Sequence, residues 1–446
     1  MELPPEVVIE IISYLRFKQA ARLSVVAKRW KNLYREMKNV VFRDSEFEEN
    51  GGTASERALF VQRMRQWIST FPGSFINRFE IYFAEPYEFQ ESIIPLIEFA
   101  VSKQVKILAL DFSDPDDHDP FNRDAVITLP SRFYGQTETI ESLKLISCSI
   151  DCTKLKNSTV LRRLTIGRAV LADLTTTLSN FPSLESLRFI SCMSWGKIMI
   201  TQNQRLTELV FEDCDFYAAD CTLELPRVMI FECSGNLPSF TFRGVVNEKM
   251  QEAELNFWFE EGRGHGTGGD LGKILNGVSP AKTLKVDSFL LQMIPYDGEE
   301  LLPSFGTRHL VMQTNLHPDE FIGIRLMLDK CPVLESLTFD IVTERTTIME
   351  DTVLVPADFN ADTYWLDEIT HECLEKTLKV VVVKDFGNMY ELQILTYLIK
   401  HGLVLERLDL YMNDVQMPRV EMALQNVPRG SSRLQITLHN ASTEPS

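Results

Sequence analysis

The stretches ESLKLISC (residues 141–148) and ESLRFISC (residues 185–192) repeat nearly the same eight residues 44 positions apart. They differ at two positions, where Lys144 corresponds to Arg188 and Leu145 to Phe189, and both end in cysteine. Such a recurrence indicates either a chemical site that occurs twice or a structural unit that occurs twice. The spacing of the apolar residues between the two stretches distinguishes these interpretations.

The apolar residues around both stretches follow the pattern L-x-x-L-x-L-x-x-N/C-x-L. Its second apolar position falls at residues 143, 164, 187, 209 and 228, in steps of 19 to 23 residues. One such unit cannot bury its apolar side alone, whereas stacked units bury it together. The pattern predicts an α/β fold, an irregular leucine-rich-repeat solenoid of parallel strands with helical or loop returns. Looser copies on both sides predict longer, partly helical returns.

Four cysteines share one position in these copies, the corner after the strand. They are Cys148, Cys192, Cys214 and Cys233. No CxxC pair accompanies them, and their spacing is not that of a zinc site. We therefore expect buried structural thiols, with no metal and no cofactor.

The residue between the last two apolar positions of each copy is expected to point away from the core. This row suits a groove that recognises a protein, although an ordinary solvated sheet face would show the same pattern. The residues predicted to face a bound substrate are Lys144, Thr165, Arg188, Val210, Met229 and Lys285.

Charge is distributed unevenly along the 446 residues, whose formal net charge is −18. Residues 1–40 contain eight Lys/Arg and four Asp/Glu, which leaves −22 for the remainder. The negative net charge of the remainder opposes nucleic-acid binding, which needs a basic surface. The positive net charge of residues 1–40 suggests that this segment has a separate, acidic partner. The absence of a long apolar run and of a signal-type leader predicts no membrane span and a location in the cytoplasm or nucleus.

Two further stretches could suggest ligand chemistry. EEGRGHGTGGDLGK (260–273) lacks the spacing of a phosphate loop, since Ile274 follows Lys273 where Ser or Thr is required, and it predicts a flexible surface loop. DFSDPDDHDP (111–120) lacks the glycine of a calcium loop and predicts a solvated insertion. No nucleophile and base stand at a recognisable spacing, so no enzyme is predicted.

The first 40 residues do not share the repeat. LPPEVVIEIISYL (3–15) has proline at a helix start and apolar residues at helical spacing, and two further helices are expected after it. Forty residues cannot bury this much apolar surface alone. Part of it must rest against the repeats or against another protein.

LPPEVVIEIISYLRFKQAARLSVVAKRWKNLY (3–34) resembles an F-box, and CLEKTLKVVVVKDFGNMYELQILTYLIKHGLVLERLDL (373–410) resembles the FBD-type end of plant F-box/leucine-rich-repeat proteins. LFVQRMRQWI (59–68) also fits that arrangement. The resemblance implies a three-helix F-box at 1–43, an irregular repeat solenoid at 44–362, FBD-type repeats at 363–440 and a tail at 441–446.

In that family the F-box binds a Skp-type adaptor, and through it a cullin–RING ubiquitin ligase, while the repeats hold the protein to be ubiquitinated. The resemblance implies no catalytic centre in this chain. The residues it assigns to adaptor binding and the box core are Leu3, Pro4, Val7, Val8, Ile11, Leu15, Leu23, Val26 and Trp30. Two alternatives stay open: a ligase-independent scaffold whose box caps the solenoid, and a small-molecule receptor, which needs converging basic residues on the inner face.

Overall fold

The computed structural model divides the chain into two compact units, residues 1–220 and 221–446, and each is considered by itself. The structure describes residues 4–26, 33–47, 52–84, 86–114, 127–155, 158–171, 181–201, 205–216, 220–244, 247–258, 267–297, 302–342, 359–387 and 389–440.

The described residues of the first unit form seven parallel strands that neighbour one another in chain order. They are β1 (Asn39–Arg43), β2 (Arg78–Tyr82), β3 (Ile107–Asp111), β4 (Ser142–Ile146), β5 (Arg163–Gly167), β6 (Ser186–Ile190) and β7 (Glu208–Cys214). Two pairs of two-residue strands lie on the return side, Ile127–Thr128 with Cys148–Ser149 and Val170–Leu171 with Met193–Ser194. Lys197–Ile200 forms a further short strand.

In the part of the second unit that the structure describes, eight parallel strands follow the same neighbour-to-neighbour order. They are β8 (Ile230–Asn236), β9 (Glu252–Trp258), β10 (Thr283–Val286), β11 (His309–Thr314), β12 (Ser336–Ile341), β13 (Val380–Phe386), β14 (Arg407–Met412) and β15 (Gln435–Asn440). Asp220–Leu223 and Phe240–Phe242 are short strands on its return side, and residues 221–223 pair with 240–242.

Within the described residues, the α-helices lie before residue 135 and after residue 266. In the first unit they are α1 (Pro5–Ile12), α2 (Phe17–Val26), α3 (Ala54–Thr70), α4 (Gln90–Ser102) and the short α5 (Ser131–Tyr134). In the second unit they are α6 (Thr267–Val278), α7 (Ser288–Asp297), α8 (Phe321–Lys330), α9 (Glu372–Lys376), α10 (Met389–His401) and α11 (Met417–Gln425). The prediction of parallel strands with helical or loop returns is confirmed.

The register of the strands follows the sequence repeat. Leu143 is paired with Leu164, Leu164 with Leu187 and Leu187 with Leu209 across β4 to β7. All four leucines are buried. Because side chains alternate across a strand, a shared register sends one column of leucines into a common core and the next column to the opposite face.

The corner after each of these strands has a recurring backbone conformation. Ser147, Arg168, Ser191 and Asp213 all have positive φ, between 47° and 53°. The N–H of Ser147, Arg168 and Ser191 each donates to a carbonyl of the following strand, at 2.7–3.0 Å. The left-handed conformation is unfavourable for residues with a Cβ. Its recurrence indicates that the tight corner and its inter-strand hydrogen bond outweigh that cost.

The corner cysteines are structural. Cys192 Sγ donates to Ile166 O at 3.4 Å, and Cys214 Sγ donates to Phe189 O at 3.5 Å, each on the preceding strand. Cys148 Sγ has the equivalent partner at 4.0 Å, Leu110 O. Each thiol is buried, and burial raises the pKa of Cys148 because the apolar interior disfavours a thiolate. The thiols therefore fill the corner and satisfy carbonyl groups.

For the copy of the repeat that contains Cys233, the predicted frame, which assigns each residue to a position of the pattern, is wrong. Cys233 lies within β8 and is paired with Leu255, so it occupies a core position of the strand. The frame that the structure adopts has Val228, Phe231 and Cys233 as apolar residues and Asn236 at the corner. Apolar residues three apart in this stretch fit both frames, and only the pairing with β9 selects one.

The Gly-rich stretch also differs from its prediction. Residues 267–273, expected in a loop, form the first part of α6. The remainder of that stretch and residues 115–120 of the acidic stretch lie outside the described residues. None of the described helices is long and apolar enough to cross a membrane.

Candidate functional site

Helix α1 has two apolar faces. Val8 and Ile12 are buried, whereas Val7 and Ile11 are 43% and 50% exposed. Residues four apart lie on one side of a helix, so Val7 and Ile11 form a single exposed stripe. Tyr14, three residues further on, is 78% exposed. A sequence pattern cannot distinguish the two faces because both are apolar. Tyr14, which follows α1, is an exposed residue that the sequence analysis did not include among the candidate adaptor contacts.

The residues predicted for adaptor binding are therefore divided. Pro4, Val7 and Ile11 lie on the surface, and Leu15 and Leu23 are half-buried. The side chain of Val8 is buried, which fits the box core rather than the adaptor-binding part of the predicted set. Leu3, Trp30 and the side chain of Val26 lie outside what the structure describes, as do residues 27–32, which include the start of the predicted third helix. Leu33–Glu36 form a 3-10 turn.

Aromatic packing attaches this helical segment to the first repeat. The ring centroid of Phe17 lies 4.6 Å from that of Phe42 in β1 and 6.4 Å from that of Trp67 in α3. Trp67 Nε1 donates to Tyr34 O at 3.1 Å. Aromatic groups of this size contribute strongly through buried area. These contacts position α2, which begins at Phe17, relative to β1, and Lys38 N beside β1 donates to Ser13 Oγ at the end of α1 at 3.3 Å.

In the first unit, the residues predicted to point outward are paired with one another across neighbouring strands. Lys144 is paired with Thr165, and Thr165 with Arg188. Val210 continues the register, yet its side chain is fully buried, so it cannot contribute contact surface, and its prediction as a substrate-facing residue is corrected. The two basic residues have acidic neighbours: Lys144 Nζ lies 2.9 Å from Asp111 Oδ2, and Arg188 Nε lies 3.7 Å from Glu208 Oε1.

In the second unit, β8 places a different residue in the outward row from the one that the sequence predicted. Glu254 is paired with Lys285 and with Glu232, so Glu232 occupies the place predicted for Met229. Met229 immediately precedes β8 and is exposed. Lys285 Nζ lies 2.9 Å from Glu254 Oε2, and this hydrogen bond raises the pKa of Lys285. Its charge is thus largely neutralised within the sheet.

The described residues include no group of three or more His, Cys, Asp or Glu side chains that could hold a metal ion. The paired charges of the inner face also oppose the convergence of free basic residues that the small-molecule alternative requires. Lys144, Arg188 and Lys285 each have an acidic neighbour within 4 Å.

The fold and this site define a leucine-rich-repeat protein with an N-terminal helical segment that presents apolar residues to solvent. The F-box domain family model matches residues 1–39, and the FBD family model matches residues 370–410. Strand β1 thus begins where the F-box match ends. The FBD match covers α9, β13, α10 and most of β14.

Similar proteins from Arabidopsis thaliana extend over nearly the whole chain. One described as an F-box/LRR-repeat protein is 40% identical over 92% of this chain and 90% of its own. An F-box protein is 35% identical over 95% and 94%, and an F-box/FBD/LRR-repeat protein is 22% identical over 98% and 95%. The chain therefore belongs to the plant F-box/leucine-rich-repeat proteins that carry an FBD region.

Proposed function

We propose that this protein is the substrate-receptor subunit of an SCF-type cullin–RING ubiquitin ligase. Its F-box would bind the Skp-type adaptor, and its repeats would hold a target protein. The observation that carries the proposal is the exposed stripe of Val7 and Ile11 on α1, within the segment that matches the F-box family. Exposed apolar side chains on one helix face are the features that a partner helix buries.

The mechanism would be proximity without bond chemistry by this chain. The aromatic contacts of Phe17, Phe42 and Trp67 hold α2 on the first repeat. The hydrogen bond from Lys38 N to Ser13 Oγ ties the end of α1 to the start of β1, so a tethered adaptor would be held close to the first repeat. Holding two reactants together raises their effective concentration. A separate enzyme would transfer ubiquitin. The cytoplasm or the nucleus stays our prediction for the location.

A pull-down of the full chain by a Skp-type adaptor tests the proposal. Ile11→Glu places a charge in the centre of the stripe and is expected to weaken adaptor binding at least about tenfold, because a carboxylate would be buried unpaired at the contact. The matched control is Val415→Glu in the second unit, where the wild-type side chain is 84% exposed. Equal adaptor binding by wild type and Ile11→Glu would refute the assignment.

The second candidate is a ligase-independent scaffold in which the helical segment caps the repeats. The packing of Phe17 against Phe42 and Trp67 favours it, because repeat stacks need covered ends. This candidate gives no reason for Val7 and Ile11 to face solvent. It predicts that neither the wild type nor any variant binds the adaptor, whereas Phe17→Ala destabilises the first unit.

A further inference from the structure

A cavity of about 580 Å³ in the first unit lies beside Tyr14 and Leu15 and is lined mainly by polar and charged side chains. The loop between α1 and α2 forms one wall, and residues of β1 and β2 that face away from the leucine core form the other. Five charged side chains line it: Arg16, Arg43, Glu46, Arg78 and Glu80. Their net charge of +1 contrasts with the formal net charge of −18 of the whole chain.

Both acidic residues of the cavity already have donors. Glu80 is buried, and its carboxylate accepts from Arg78 Nε at 2.6 Å and from the Tyr82 hydroxyl at 3.2 Å. Glu46 Oε2 accepts from the backbone N–H of Lys18 at 3.3 Å, and Lys18 Nζ donates to Glu46 O at 2.6 Å. The charge of Glu80 is therefore compensated by Arg78, whereas the Glu46 carboxylate accepts only from a neutral N–H and its Oε1 has no hydrogen-bond partner among the described residues. The two other arginines of the cavity thus outnumber one uncompensated carboxylate.

Two arginines remain with their charge uncompensated. The guanidinium carbon of Arg43 lies 3.8 Å from the centroid of the Tyr82 ring. Stacking on an aromatic face leaves the N–H groups at the edge of a guanidinium available to an acceptor. Within the described part of this unit, neither Arg43 nor Arg16 has a carboxylate at ion-pair distance.

The ring beneath Arg43 is itself held in place. Burial, followed by the charge of Glu80, raises the pKa of Tyr82, so its hydroxyl stays protonated and continues to donate to Glu80. Lys144 Nζ lies 5.5 Å from the same ring centroid but is paired with Asp111. Arg43 thus occupies a pre-organised position, which lowers the entropic cost of binding a ligand.

We propose that this cavity binds an anionic side chain, a carboxylate or a phosphorylated hydroxyl, of the protein held on the repeat face, with Arg16 and Arg43 as its ligands. The proposal deepens the proposed function and rests on it. Val41 and Glu80 of the cavity belong to the same outward register as Lys144, Thr165 and Arg188, so its wall is continuous with the row predicted to contact the substrate. Charge-assisted hydrogen bonds from guanidinium groups suit both anions.

Isothermal titration of the full chain tests the proposal with two probes, N-acetyl-phosphoserine amide and N-acetyl-glutamate amide. The test variant is Arg16→Gln/Arg43→Gln, and Arg163→Gln is the matched control because Arg163 is exposed on β5, outside the cavity. We expect the wild type and the control to bind at least one probe, and the double variant to bind it at least about tenfold more weakly. Binding of phosphoserine alone would specify a phosphorylated target.

The proposal is overturned if the wild type binds neither probe. It is also overturned if the double variant, shown by circular dichroism to be folded, binds a probe as tightly as the wild type does. An adaptor pull-down of the same chains separates the two proposals. Loss of adaptor binding in the double variant would assign the cavity to the adaptor surface and overturn the inference. Failure of every chain to bind the adaptor, with probe binding intact, would instead refute the ligase role.

Discussion

Arg325 in α8 binds both carboxylate oxygens of Asp367, 42 residues further along the chain. Its Nη1 lies 2.6 Å from Asp367 Oδ2, and its Nη2 lies 3.2 Å from Asp367 Oδ1 and 2.7 Å from Tyr364 O. The guanidinium carbon is also 4.1 Å from the centroid of the Tyr364 ring. One side chain therefore attaches the segment that precedes the FBD match to a helix of the second unit.

This arrangement predicts that Arg325→Lys destabilises the second unit by about 1–3 kcal/mol, because an ammonium cannot reproduce the planar two-point contact. Urea unfolding measures the change. The control is Lys400→Ala, which removes an exposed pair to Glu368 on the same segment and is expected to cost at most about 1 kcal/mol. Equal costs for the two variants would contradict a special role for Arg325.

Gly323 allows α8 to approach α7. A Cβ at this position would lie 1.9 Å from Leu291 O, a backbone atom that cannot move independently. Gly323→Ala is expected to destabilise the protein by at least about 1–3 kcal/mol through overpacking. Gly269→Ala in α6 is the matched control, because no atom lies within 4 Å of the added carbon, and it is expected to stabilise by about 0.5–1 kcal/mol. Thermal unfolding distinguishes the opposite signs.

Asp287 gives the second unit a pH-dependent stability. Its carboxylate accepts from Phe257 N at 2.7 Å and from Leu290 N at 2.9 Å, but complete burial raises its pKa from 3.8 to about 7. A raised folded-state pKa favours folding below pH 3.8, and this contribution is lost as the pH rises towards 7.

The wild-type free energy of unfolding should therefore fall relative to that of Asp287→Asn between pH 4 and pH 7, by up to about 4 kcal/mol. Urea titrations of both proteins at four or more pH values measure the difference. A difference that stays constant across this range would show that the Asp287 carboxyl does not titrate there.

The corner position tolerates a small apolar side chain. Ala169 occupies in one repeat the place that Cys192 occupies in the next, and both are buried. Cys192→Ala is therefore expected to cost about 1 kcal/mol, since it removes a weak donor and little volume. Cys192→Leu should cost more because the added methylenes have no space in a closed corner. Equal melting temperatures for the two variants would contradict a confined site.

The sequence predicted the repeats best where apolar residues alternate and one frame is available. The columns from Leu143 to Leu209 are paired as their spacing predicts. The frame was wrong at Cys233, where apolar residues three apart permit two alignments and hydrogen bonds to β9 decide between them. It was also incomplete at α1, where Val7 and Val8 are identical in type and differ only in what packs against them.

The outward row illustrates the same limit. Lys144 and Arg188 lie where the pattern predicts, but their acidic neighbours could not be assigned from it, since Asp111 lies on an adjacent strand 33 residues away. Val210 matches the row in register and is nevertheless buried. Exposure depends on every surrounding element, whereas periodicity reports only the alternation within one strand.

By itself the sequence determined the period of the repeat, the alternation of core and outward residues, and the helical segment whose motif places the chain among F-box proteins. These are local properties, encoded in residues a few positions apart. The tertiary structure alone decided which face of α1 meets solvent, which carboxylates neutralise the basic row, and that Arg16 and Arg43 line one cavity. Those outcomes depend on contacts between residues distant in the chain, whose distances no spacing along the sequence specifies.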